Sequence, residues 1–141
     1  MPDPRIRRLA RERALQFLFG LDFTQYPWDD VIDEFWENNP VRPNAKQYAE
    51  RLIRGVYERL PELDAEIAEA LHNWTPERVG AVERSALRMA LFEMRHVEDV
   101  PPNVAINESL EVVKKYGPEE AVKFVNAVLD RLRRKLNEEA S

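Results

Sequence analysis

A chain of 141 residues is the length of one ordinary domain, and its 44% apolar and 33% charged residues give it material for a core beneath a heavily charged surface. The absence of Cys excludes disulfides, thiolate metal sites and a Cys nucleophile, and the two His (His72 and His96) have no partner at metal-ligand spacing, so no metal or cofactor is expected. A net charge of −5 argues against a protein that is basic throughout, but Arg5, Arg7, Arg8, Arg11 and Arg13 crowd together while residues 29–37 hold Asp29, Asp30, Asp33, Glu34 and Glu37, so a local phosphate site stays open.

The apolar residues recur at steps of three and four in most windows, with no sustained alternation and no Asn-Gly or Asp-Gly hairpin signal, which predicts an all-α fold. The first helix is predicted over about 4–23, with Ile6, Ala10, Ala14, Phe17 and Leu21 on its core face. A short acidic helix follows near 28–37. Pro40 and Pro43 break the chain there, because proline cannot continue a helix and restrains the residue before it. A third helix is expected over 44–60, with Tyr48, Leu52, Val56 and Leu60 in register. Pro61 opens a fourth, on which Leu63, Ile67 and Leu71 are spaced by four. Thr75 and Pro76 read as the N-cap and first position of the approach to a central helix reaching Val97. Val82, Ala86, Leu87, Ala90, Leu91, Met94 and Val97 cover so much of its circumference that other helices must enclose it. Pro101 and Pro102 start a helix that runs to Tyr116, with Gly117 expected in the left-handed closing position. Pro118 begins the last helix, which carries Ala121, Val125, Leu129, Leu132 and Leu136 inward and places Arg131, Arg133, Arg134 and Lys135 in its final turns. Helices joined by such short breaks imply a bundle or a pair of bundles within residues 1–141.

Three groups of residues are candidates for function. On the first helix Arg8, Leu15 and Phe19 form one column, with Arg7 and Arg11 beside it and away from most of the core face. Arginine forks bind phosphates and rings stack bases, so this surface suits single-stranded RNA; it equally suits a solvated face or pairing with the acidic stretch. Phe124 lies one position off the Ala121–Val125–Leu129 stripe beside Lys123, either as a base-stacking ring or as the edge of the core. Polar residues also interrupt apolar runs. Glu93, Asn107 and Asn126 are read as buried and hydrogen-bonded, and the pair Arg84 and Arg88 shares one helix face. No Gly-rich phosphate loop, nucleophile elbow or HExxH pair is present, so a binding protein rather than an enzyme is expected. No apolar run approaches the roughly 20 residues that span a bilayer, and the basic N-terminus lacks a signal-peptide core, so the expected location is the cytoplasm.

Three strings in order, RRLARERALQFLF, VERSALRMALFEM and VPPNVAINESLEVVKKYGPEEAVKFVNAVLDRL, resemble the NusB family over nearly the whole chain, least from about residue 24 to 47. The resemblance implies two three-helix bundles. It implies a transcription antitermination factor that binds boxA-type single-stranded RNA with the ribosomal protein NusE and joins elongating RNA polymerase, with other Nus factors, in ribosomal RNA transcription. Carried over residue by residue, it implies RNA contacts at Arg7, Arg8, Arg11, Phe19 and Phe124, with Glu120 near them, and a partner-facing Glu83. Phe19 stands where relatives often have Tyr, and Ala127 where they usually have Gly. Some relatives form homodimers. Two other readings stay in view: a protein-only helical scaffold, and the NusB-like domain that ribosomal RNA cytosine methyltransferases carry.

Overall fold

The computed structural model describes residues 3–21, 27–72 and 78–140. Seven helices lie among them: α1 (Pro4–Leu21), α2 (Trp28–Asn38), α3 (Pro43–Glu58), α4 (Leu60–Ala70), α5 (Ala81–His96), α6 (Pro102–Tyr116) and α7 (Glu119–Ala140). The prolines act where the sequence places them. Pro43, Pro61 and Pro102 each occupy the first turn of a helix, where a missing N–H leaves no bond unmade. The expected cap at Thr75 and Pro76 and the end of the first helix at Phe23 lie outside the described residues.

The helices form two groups. In one, α1 packs along α3 with the shorter α2 across them; in the other, α5, α6 and α7 pack mutually, and α4 lies on α5 and α7. Amphipathic α2 is held by rings, with Phe35 edge-on to Phe17 at 5.2 Å, and by the Trp36 indole N–H, which donates to Glu50 at 2.9 Å. Helix α1 is the seam between the groups, since it also packs against α5 and α6. Helix α5 is enclosed as its composition requires, with Ser85, Ala86, Leu87 and every residue from Met89 to Glu93 buried. It meets α3 where Gly55 faces Phe92.

Three expectations are corrected. Gly117 closes α6 in extended backbone, at φ −130° and ψ 166°, not in the left-handed region. What favours glycine there is space: a Cβ would come within 3.1 Å of the Ala121 methyl. Asn107 and Asn126 stand in solvent, not in the core. The basic residues of α7 do not occupy its last turn, because the helix continues to Ala140. Two of them serve as lateral ties to α4 instead, with Arg131 donating to the Ala70 carbonyl at 2.9 Å and Lys135 paired with Glu69 at 2.7 Å, while Arg133 and Arg134 pair with Asp130 on α7 itself.

The Gly55 contact carries a test. A Cβ on Gly55 would lie 2.2 Å from the Phe92 ring, and that ring is buried. Overpacking of this kind costs about 1–3 kcal/mol, more than the ~0.5–1 kcal/mol that alanine gains over glycine in a helix. Gly55→Ala therefore lowers the urea midpoint, and Phe92→Leu in the same chain relieves the added strain.

Candidate nucleic-acid interface

The arginines of α1 have different fates, although they lie within three turns of one helix. Arg5 is almost fully exposed and folds back on Asp3 at 3.2 Å. Arg7 turns toward α3, with its guanidinium 4.3 Å from the Tyr48 ring centroid and 3.0 Å from Asp99. Arg8 turns toward α6 and makes a two-pronged bond to Glu108, from Nε to Oε1 at 3.1 Å and from Nη2 to Oε2 at 2.6 Å. Its side chain keeps 52% exposure. Arg13 donates to Gln16 at 3.1 Å.

Arg11 corrects the sequence reading. It does not stand on the surface beside Arg8: it is 3% exposed, and its guanidinium grips Glu93 through Nε at 2.9 Å and Nη2 at 2.9 Å. Glu93 is 1% exposed and also accepts the Tyr48 hydroxyl proton at 2.5 Å. Glu108 closes the network by taking Arg11 Nη1 at 3.3 Å. The cause is the position of α1. With α3, α5 and α6 on three sides, its buried arc is wider than the stripe its apolar spacing marks. Burial works against the Arg11 cation, but the hydrogen bonds and charge of Glu93 outweigh it and raise its pKa. Burial, and then the Glu93 charge and hydrogen bond, push the Tyr48 phenol up, so it remains a donor. The hydrogen bond from Arg8 holds the Glu108 carboxyl below its ordinary range, against the opposing effect of burial.

On the α6 side of α1 the surface becomes aromatic. Phe19 and Tyr116 are 38% and 39% exposed, and with Leu15, Gln16 and Val82 they line a cleft of about 230 Å³. Gln16 donates to the Tyr116 hydroxyl at 2.8 Å, and that hydroxyl donates to Glu12 at 3.3 Å. Glu12 in turn pairs with Lys115 at 3.1 Å. The sequence reading missed Tyr116, although its place before Gly117 at a helix end was a usable signal of exposure. Phe124 is half-buried on α7 and packs against the core, with Glu120 exposed one turn earlier. Glu83 sits in the first turn of α5, half-buried, with its carboxylate folded over Gly80 where the helix dipole favours it. Arg84 and Arg88 are tied inward, to the Val79 carbonyl at 2.7 Å and to Asp64 at 2.7 and 2.8 Å.

Residues 8–134 match the model of the NusB family. The chain belongs to that family. It is 39% identical over 127 residues to the transcription antitermination protein NusB of Bacillus subtilis, covering 90% of this chain and 94% of that one. It is 37% identical over 135 residues to the same protein of Myxococcus xanthus, covering 93% and 96%. Among solved structures, T. maritima NusB superposes with a TM-score of 0.84 at 34% identity, covering 95% of this chain and 93% of that one. A chain from a complex of antitermination factors NusB and NusE with double-stranded RNA superposes with a TM-score of 0.87 at 29% identity, covering 94% and 99%. The NusB fold places Arg8 and Phe19 on one face of α1 here, with Tyr116 beside Phe19, and spends Arg11 inside.

Two measurements test this assignment of roles. Glu93→Gln removes the main counter-charge of buried Arg11, leaving it only the longer bond to Glu108, and costs about 3–5 kcal/mol of unfolding free energy. Replacing the group together, as Arg11→Met with Glu93→Leu and Tyr48→Phe, recovers most of that loss, because no charge or polar group is left unpaired. The second test is pH. Glu108 is held below its ordinary value of 4.5, so its bonds stabilise the fold above that value and are lost as pH falls through the lowered one. Wild type is therefore more stable than Glu108→Gln at neutral pH, and thermal melts of the two converge as pH drops below 4.5.

Proposed function

We propose that this protein is a transcription antitermination factor that binds single-stranded RNA of the boxA type together with the ribosomal protein NusE. It acts by binding and positioning, without chemistry of its own, as one RNA-binding unit over residues 1–141. The observation that carries the reading is the α1–α6 face of a NusB-family chain, where Arg8, Phe19 and Tyr116 stand in solvent within a few turns of one another. Arg8 takes a backbone phosphate in exchange for part of its bond to Glu108, and Glu108 keeps Arg11 as a partner when it does so. Arg7, screened by Asp99, adds a weaker contact at the N-terminal end of α1. Phe124 and Glu120 extend the same strand toward α7, and Glu83 at the start of α5 faces the protein partner. The complex then joins elongating RNA polymerase with other Nus factors in ribosomal RNA transcription. That setting is the cytoplasm, and no helix among the described residues is long and apolar enough to cross a membrane.

Fluorescence anisotropy tests the reading, using a boxA-like strand and a scrambled strand, with and without NusE, at a series of salt concentrations. Binding favours boxA, tightens with NusE, and weakens with salt by about 0.7 in log–log slope for each phosphate contacted. Arg8→Ala makes that slope shallower by about 0.7. Weak, equal binding to both strands that ignores salt and NusE would sink the proposal and favour a protein-only scaffold.

A further inference from the structure

Apolar rings left in solvent mark a contact surface more often when they adjoin than when they are scattered. Three large hydrophobics stand exposed among the described residues, Phe19, Val104 and Tyr116, and two of the three line the single cleft between α1, the start of α5 and the end of α6. The cleft is apolar along Leu15 and Val82, with polar atoms from the Gln16 amide and the Tyr116 hydroxyl. Cations lie around it: Arg13 on Gln16, Lys115 next in chain to Tyr116, and Arg8 two turns up α1 from Leu15. Two of the carboxylates nearby are engaged, Glu12 with Lys115 and the Tyr116 hydroxyl and Glu108 with Arg8 and Arg11, and the Glu83 carboxylate lies over Gly80.

That combination favours one occupant. A flat heteroaromatic ring fills a slot walled by rings, presents an edge of donors and acceptors to an amide and a hydroxyl, and arrives attached to an anionic chain that the flanking cations attract. An aliphatic side chain of a protein partner would fill the floor but make no use of the second Gln16 amide N–H and the remaining lone pair of the Tyr116 hydroxyl, the other sites of which are taken by each other, by Arg13 and by Glu12.

We propose that this cleft receives one unpaired base of the bound RNA, packed against the Phe19 and Tyr116 rings, and that Tyr116 is a base-contacting residue of the protein. The inference rests on the RNA-binding function above and locates a base position within it. Sequence-tolerant affinity then comes from Tyr116, while the salt-dependent part comes from Arg8.

The test compares wild type with Tyr116→Ala, Tyr116→Phe and Val82→Trp, the last of which plugs the cleft without touching Tyr116. Each is titrated by anisotropy with a boxA-like strand and with a set of strands that each carry one abasic position. Tyr116→Ala and Val82→Trp lose roughly 5- to 150-fold in affinity with the salt slope unchanged, and Tyr116→Phe, which keeps the ring, stays close to wild type. Wild type is weakened at one abasic position in particular, and Tyr116→Ala is indifferent to that position, because the two changes remove the same contact. Salt-dependent RNA binding that is untouched by Tyr116→Ala and by Val82→Trp, with no such abasic position, overturns the base cleft and leaves RNA binding standing. Failure of wild type to bind RNA at all overturns both. Loss of NusE binding with RNA affinity intact makes the cleft a protein pocket and also overturns the inference. Thermal melts identify any variant that fails to fold, and the abasic series on wild type decides the question without one.

Discussion

The bond between Arg11 and Glu93 is the constraint on which the two helical groups depend. Both charges are almost wholly withdrawn from water, and neither is tolerable alone in an apolar interior. Arg11 belongs to α1, Glu93 to α5, Tyr48 to α3 and Glu108 to α6, so one connected set of four side chains specifies how four helices meet. The apolar packing around them supplies most of the drive to fold, but apolar surfaces tolerate sliding. A paired charge does not, since a shift of one helical turn, ~5.4 Å, would leave a guanidinium facing hydrocarbon. Such a pair is weak as a source of net stability and strong as a penalty on any other arrangement.

The network does not stop at the surface. Glu108 takes Arg11 with one oxygen and Arg8 with both, so the most solvent-exposed part of the set is the fork of Arg8. A ligand phosphate that draws on Arg8 competes with a carboxylate that is itself anchored in the core. Arg8 is thus pre-positioned, and less rotamer freedom is lost on binding than for a cation swinging on a free stem. The same anchoring sets a limit: the phosphate gains only the difference between its own attraction and that of Glu108.

How much of this was legible beforehand divides along physical lines. Helix number, order and most boundaries followed from prolines and from three–four spacing, which are local properties. The buried roles of Glu93 and the enclosure of α5 were also legible, because a carboxylate inside an apolar run has to find a partner. That the partner is Arg11 was not legible, since the two are 82 residues apart and the spacing of α1 marks one stripe, not the three neighbours that cover it. The unread signal was the demand of Glu93 for a cation, which some arginine had to meet. Gly117 was misplaced for a related reason: a glycine at a helix end has two explanations, backbone conformation and space, and only packing against Ala121 distinguishes them. Tyr116 escaped notice because its place at a helix end signals exposure but not a site, and the site takes shape only when α1 brings Phe19 beside it.

The consequence for recognition is a division of labour. With Arg11 committed to the core, Arg7 screened by Asp99 and Arg5 folded onto Asp3, the α1 cluster offers far less free positive charge than its sequence advertises. On a protein with net charge −5, phosphate attraction alone is then a poor basis for holding RNA, and duplex or random polyanions gain little from it. Under the proposed function, affinity for the right strand comes from contacts that a duplex cannot offer, namely rings that meet unstacked bases, and from a second protein that adds surface of its own. In that reading, an acidic RNA-binding protein with its arginines largely pre-paired is no contradiction. In the proposed function, weak charge attraction leaves stacking and the partner, rather than the phosphate chain, to decide between an unpaired strand and a duplex.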